Sequence, residues 1–180
     1  QDQIGGFTDG IKFLTTTAGL AQKINVSYIA MSEDAKKELN ERYALIYTGQ
    51  RRLARNLLRD VVGRYIGNEP DSLYALKEIQ VVAKNMKELL INGDIDGFAS
   101  LLNRHWELSK MIDKGSTNTL IDYIFESVEE FIDGKLVCGA GGGGFLQVVL
   151  KKGVSKQVVK QRLKEVFEDN GVDLWSVTIV

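Results

Sequence analysis

Five glycines fall within six positions of this chain: Gly139, Gly141, Gly142, Gly143 and Gly144, interrupted only by Ala140. Glycine loses more backbone freedom on folding than any other residue. A folded domain therefore keeps such a run only where the chain must take positive φ or let another group come close. Successive backbone N–H groups exposed in this way form a concavity for anions, phosphate above all. Lys135-Leu136-Val137-Cys138 before the run and residues 145–151 after it read as strands, so the glycines join two strands. Gly139, Gly141 and Gly144 satisfy the G-x-G-x-x-G spacing of dinucleotide-binding folds. That motif needs a helix directly after the glycines, and here Phe145-Leu146-Gln147-Val148-Val149-Leu150 follows instead. The Walker pattern fails as well, because no Gly-Lys-Ser/Thr closes the run. The plainer alternative is a hairpin that binds nothing, but a simple hairpin needs two turn glycines rather than five.

The 180 residues suit one compact domain, expected to span 1–180 without an internal boundary. Pro70 is the only proline, and no Pro- or Ser-rich linker breaks the sequence. A net charge of −1 gives no electrostatic case for nucleic acid or an anionic membrane as partner. Cys138 stands alone, which excludes an intrachain disulfide and points to a reducing, cytoplasmic setting. No apolar run is long enough to span a bilayer. The sequence opens Gln1-Asp2-Gln3 with no methionine, and is expected to be part of a longer chain.

Residues 11–17 and 25–31 read as strands. Ser32 caps a short helix with Ala35 and Leu39 on its inner face, and 43–47 is a further strand. A helix from about 51 to 65 carries Leu53, Leu57 and Val61 on one side. Asp71 or Ser72 is expected to cap the next, which runs to about residue 90. Asp94 opens a helix with Phe98, Leu102, His105 and Leu108 on its stripe. Gly115-Ser116 stops it and caps another, carrying Leu120, Ile124 and Val128. After the glycine loop and its strand, Ser155 caps a helix, and residues 174–180 form the last strand. Strands, a block of helices, then strand–loop–strand–helix–strand argue an α+β fold. Its antiparallel sheet carries helices on one face, and the final strand–helix–strand is half of a ferredoxin-like unit.

Few side chains offer chemistry. Asp2 lies between two amides and just before Gly5-Gly6, where a carboxylate can serve as general base. An exposed aspartate is the plainer reading from composition. His105 is the only histidine and sits on an apolar stripe, so a buried packing role is favoured. One His and one Cys do not make a metal site. Arg51, Arg55 and Arg59 share a helix face, with Arg52 beside them. A solvated surface is the usual fate of such a face, yet a helix start favours anions, which makes Arg51 a candidate contact for substrate or phosphate.

The segments Gln1-Asp2-Gln3-Ile4-Gly5-Gly6, Tyr47-Thr48-Gly49-Gln50-Arg51, Trp106-Glu107-Leu108-Ser109-Lys110, Gly115-Ser116-Thr117-Asn118 and Cys138-Gly139-Ala140-Gly141-Gly142-Gly143-Gly144-Phe145 come in an order that resembles the GHMP small-molecule kinases. The likeness covers essentially the whole chain and is strongest to the branch of L-fucose kinases, with heptose-7-phosphate kinases near it. It implies the C-terminal domain of an enzyme that moves the γ-phosphoryl of ATP, with Mg2+, to a sugar hydroxyl, L-fucose giving L-fucose 1-phosphate. It makes Asp2 the catalytic aspartate and puts Gly139, Ala140, Gly141, Gly142, Gly143 and Gly144 against the nucleotide phosphates. The family's Pro-x-x-x-Gly-Leu-Gly-Ser-Ser loop and its magnesium ligands lie upstream of that aspartate and do not occur here. The resemblance therefore implies a missing N-terminal kinase half as partner. It also implies that these 180 residues alone bind ATP and Mg2+ incompletely and are inactive. A binding or regulatory module that kept the fold is the alternative.

Overall fold

The computed structural model describes residues 9–19, 21–50, 55–139 and 141–179, without the side chains of 55–58 and 60. Its elements are β1 Lys12–Thr16, β2 Ile24–Tyr28, α1 Glu33–Arg42, β3 Tyr43–Thr48, α2 Arg55–Ile66, α3 Pro70–Ile91, α4 Ile95–Ile112, α5 Thr119–Val128, β4 Ile132–Val137, β5 Phe145–Leu150, α6 Lys156–Phe167 and β6 Val172–Ser176. Short 3-10 turns at Lys114–Ser116 and Glu129–Phe131 flank α5.

Four strands form the main sheet in the order β4-β5-β3-β6, every neighbour antiparallel. Strand alternation decides which face is covered, because successive side chains point to opposite sides. Ala44, Ile46 and Thr48 of β3 are buried, in register with Val148 and Leu146 of β5 and with Leu174 and Val172 of β6. Helices α4, α5 and α6 close over this side through Leu102, Trp106, Ile124, Phe125, Val159 and Leu163. Tyr43, Leu45 and Tyr47 point the other way and are only half-buried. β5 and β6 both flank β3 and are joined by α6, which gives the expected ferredoxin-like half.

Three expectations are corrected. The first two strands do not join the sheet. Among the described residues β1 and β2 pair only with each other, in an antiparallel ribbon of their own. The Lys87 ammonium of α3 lies 5.5 Å from the centre of the Phe13 ring, and Ile11 and Ile29 beside the ribbon pack against the main core. Neither Asp71 nor Ser72 caps α3. Glu69 is the N-cap and makes no side-chain capping bond, with Pro70 at the first helical position. Proline arrives with φ preset and without the N–H that a first turn leaves unpaired, so it starts a helix by itself. Asn118, not Gly115-Ser116, caps α5, its side chain accepting from the Ile121 N–H.

At one end of β3 the chain passes from α1 into the strand without a loop, and Arg42 stands at the junction with 4% of its surface exposed. Its Nε donates to the Leu150 carbonyl at 2.7 Å. Nη1 reaches Glu38 and Asp96, both at 2.6 Å, and Nη2 reaches Asp133 at 2.9 Å. A guanidinium has donors enough to satisfy all four, so one side chain ties α1, α4, β4 and the end of β5. The desolvation that would lower its pKa is outweighed by the Asp96 and Glu38 hydrogen bonds, and the guanidinium stays charged.

Two outcomes follow from this frame. The hydrogen bond from Arg42 holds the Asp96 carboxyl below its ordinary range. A depressed carboxyl contributes stability that is present at neutral pH and lost as pH falls through its folded pKa. Asp96→Asn should therefore be less stable than wild type at pH 7, and the gap should close as melts are run below about pH 4. Glu168, just past α6, sits at φ 49 and ψ −124. Glycine occupies that region without strain, so Glu168→Gly should stabilise by about 1 kcal/mol in urea unfolding.

Candidate functional site: a glycine loop held from two sides

β4 and β5 are closed by the Cys138 N–H donating to the Phe145 carbonyl at 2.9 Å, and the glycine loop leaves the sheet between them. Gly139, Gly141, Gly142, Gly143 and Gly144 take φ of 67, 92, 76, 155 and 81. Residues 141–144 are thus four in succession in the region that an L side chain disfavours by roughly 1–2 kcal/mol each. No other residue type builds this path.

Two loops hold it. On one side the Gly142 N–H donates to the Ser116 carbonyl at 2.7 Å, and Asn118 Nδ2 donates to the Gly142 carbonyl at 3.0 Å. Contact there is so close that a Cβ on Gly141 would lie 2.6 Å from the Ser116 oxygen and 2.7 Å from its Cα. On the other side the Gly144 N–H donates to the Gln50 carbonyl at 3.0 Å, and the Thr48 N–H to the Gly144 carbonyl at 2.9 Å. The turn after β3 is itself pinned: a Cβ on Gly49 would meet the Asn170 carbonyl at 2.7 Å. The remaining loop N–H groups, on Gly139, Gly141 and Gly143, donate to no described residue. Open backbone N–H donors of this kind suit an anion.

The loop at 113–118 that grips Gly142 is built by short polar side chains. Asp113 is buried. Its Oδ1 accepts the Gly115 N–H at 2.9 Å, and its carbonyl accepts from the Ser116 N–H and hydroxyl at 3.0 and 2.6 Å. Its Oδ2 is buried with no hydrogen-bond partner among the described residues. On the half-buried face of the sheet, Tyr43 Oη donates to Gln147 Oε1 at 3.0 Å. Burial raises the pKa of both the Tyr43 hydroxyl and the Cys138 thiol. Cys138 thus stays a thiol at neutral pH.

Of the residues singled out in the sequence, Gly139, Gly141, Gly142, Gly143 and Gly144 lie in the loop just described. Asp2, Arg51 and Ala140 lie outside the described residues. His105 sits on α4, and burial lowers its pKa, the mark of a packed imidazole. None of the loop's hydrogen bonds involves it. Among the described residues no group of His, Cys, Asp or Glu is placed to hold a metal ion. A cleft of about 730 Å3 lies at the far end of β3, lined by Glu38, Arg42, Lys152 and Lys156. Lys152 pairs with Glu38 and Asp96, and Lys156 donates to the Asn40 carbonyl. Sequence reading missed Asn118 as a site residue. Its signal was a helix cap three positions before Ile121, and nothing in the sequence says what the free half of that amide reaches.

Comparison with known proteins agrees with the fold. Residues 86–169 match the family described as GHMP kinases C terminal. The chain is 33% identical over 180 residues to the bifunctional fucokinase/GDP-fucose pyrophosphorylase of Arabidopsis thaliana, covering 99% of this chain and 17% of that protein. It is 32% identical to the L-fucokinase/L-fucose-1-P guanylyltransferase of Bacteroides fragilis, over 84% of this chain and 16% of that protein. Against the D-glycero-alpha-D-manno-heptose 7-phosphate kinase of Campylobacter jejuni it is 25% identical, over 98% of this chain and 53% of that protein. The chain thus spans about a sixth of the two fucokinases. Among solved structures, L. major mevalonate kinase superposes with a TM-score of 0.74 at 16% identity, over 92% of this chain and 48% of that one. That likeness is one of fold.

The close approach to Ser116 makes a graded expectation for the loop. Gly141→Ala adds a collision with backbone to the φ strain and should cost about 2–4 kcal/mol. A Cβ on Gly144 meets nothing within 4 Å. Gly144→Ala should therefore cost only the φ term, about 1–2 kcal/mol, in the same urea unfolding series.

Proposed function

We propose that this chain, which carries a GHMP kinase C-terminal domain, is the C-terminal part of an ATP-dependent sugar kinase that converts L-fucose to L-fucose 1-phosphate. The observation that carries the reading is the glycine loop. Its untied N–H groups suit the oxygens of a phosphoryl group, and it lies in a chain whose relatives at 33% and 32% identity are named fucokinases.

Phosphoryl transfer asks of a protein mainly that it position the reactants and meet the charge that develops on the transferred group. The sugar hydroxyl oxygen attacks the γ-phosphorus, the bond to the β,γ-bridging oxygen breaks, and ADP leaves. In this reading Asp2 accepts or orients the departing hydroxyl proton. The loop N–H groups face the phosphoryl oxygens, fixed beforehand and so without reorganisation during the reaction. Arg51 contacts the substrate or a phosphate. Mg2+ would offset phosphate charge, and its ligands and the main nucleotide loop are assigned to the rest of the protein. The described residues offer no such ligand set. Residues 1–180 form one domain of that enzyme and are inactive alone.

ADP release measured on the full-length protein, with L-fucose and then heptose 7-phosphate, tests the reading. Turnover on L-fucose is expected, and Asp2→Asn should lower kcat by about 10³-fold while leaving the melting temperature unchanged. Preference for heptose 7-phosphate moves the chain to the neighbouring branch. Absence of turnover on both sugars makes it a binding module, and near wild-type kcat in Asp2→Asn removes that residue from the mechanism.

A further inference from the structure

The two halves of the Asn118 carboxamide do different work. Oδ1 accepts the Ile121 N–H at 3.0 Å, the bond that caps α5. With that oxygen committed, Nδ2 points away from the helix and donates to the Gly142 carbonyl at 3.0 Å. Gly142 is buried, and its own N–H is taken by the Ser116 carbonyl at 2.7 Å. Both polar groups of this one residue are therefore held by positions 116 and 118.

The consequence is one residue further on. A peptide group is planar, and in the trans form its C=O and N–H point in opposite directions. No cis peptide occurs among the described residues. The carbonyl of Gly142 and the N–H of Gly143 belong to one such plane. Drawing the carbonyl toward Asn118 turns the Gly143 N–H to the opposite side, away from the gripping loop, where no described residue accepts it. Glycine at φ 76 followed by glycine at φ 155 has no side chain to hold that plane in place. Without an external bond the peptide is free to rotate.

We infer that Asn118 is a positioning residue of the phosphoryl-transfer site: through the Gly142 carbonyl it fixes the direction in which the Gly143 N–H is presented to the transferred group. This rests on the kinase reading above. The helix cap and the grip on the loop are separable by substitution. Aspartate caps a helix as well as asparagine does. Asn118→Asp thus keeps the acceptor for Ile121, loses the donor for Gly142, and sets a carboxylate oxygen against a carbonyl. Serine also caps, without the charge, and is too short to carry a donor to Gly142. Alanine removes cap and grip together.

The experiment is steady-state kinetics and thermal melting of the full-length protein with Asn118, Asp, Ser and Ala at this position. Asn118→Asp and Asn118→Ser lose the bond to the loop but keep the cap, and should melt below wild type and above Asn118→Ala. Both should lose 10- to 100-fold in kcat, with KM for the sugar changed less than threefold, since an oriented donor acts on the transition state. Asn118→Ala should lose the same activity and also melt lower. Wild-type kcat in both the Asp and Ser variants overturns the inference. So does a fall in kcat that merely follows the fall in melting temperature across the three variants. A wild-type protein that turns over neither L-fucose nor heptose 7-phosphate instead removes the kinase reading, and this inference with it.

Discussion

Four consecutive residues at positive φ are a path that the chain cannot hold by itself. Glycine makes it sterically allowed, and the same freedom leaves it undefined until other groups fix it. Here the fixing groups are backbone carbonyls at Ser116 and Gln50, with the Asn118 amide on the Gly142 carbonyl. The site therefore depends on three connections that are remote in sequence: the end of β3, the turn between α4 and α5, and the β4–β5 loop. Whatever moves α4 against the sheet moves the grip on Gly142.

That dependence explains why the opposite end of the sheet is tied so firmly. Asn103 of α4 donates to the Asp133 carbonyl and accepts the Lys135 N–H, which attaches the helix to strand β4. Gly134 of β4 lets Ala99 approach so closely that a Cβ would lie 2.7 Å from its carbonyl. Arg42 then joins α1, α4, β4 and the end of β5. Such a buried guanidinium adds less net stability than its bond count suggests, because its desolvation opposes the gain. What it contributes is geometry: it sets α4 in place relative to the two strands that enter and leave the glycine loop.

Legibility followed the range of the interactions. Ser32, Asp94 and Ser155 cap helices through a residue three positions on, so a short window of sequence was enough to find them. The alternation in β3 and β5 was equally local. The ribbon β1–β2 looked no different from sheet strands, because its residues have the same β-branched character. What sets it apart is that its pairing ends with two strands. The start of α3 was assigned to Asp71 or Ser72 rather than to Pro70, since only the geometry of the preceding turn distinguishes them.

The sequence by itself determined that residues 139–144 join two strands through a glycine-rich loop, that strands and a block of helices are segregated in an α+β order, and that neither a helix-backed dinucleotide motif nor a Walker motif is present. Those conclusions need only backbone sterics and the periodicity of neighbours. Tertiary structure alone decided which loop N–H groups are tied and which stay open. It also decided that Asn118 serves the loop as well as its helix, and that Arg42 binds one end of the frame. Each of these is a hydrogen bond between groups at least 24 positions apart or between groups whose neighbours in sequence look ordinary. Such a bond has no local pattern, because its donor and acceptor meet only after the helices have packed on the sheet.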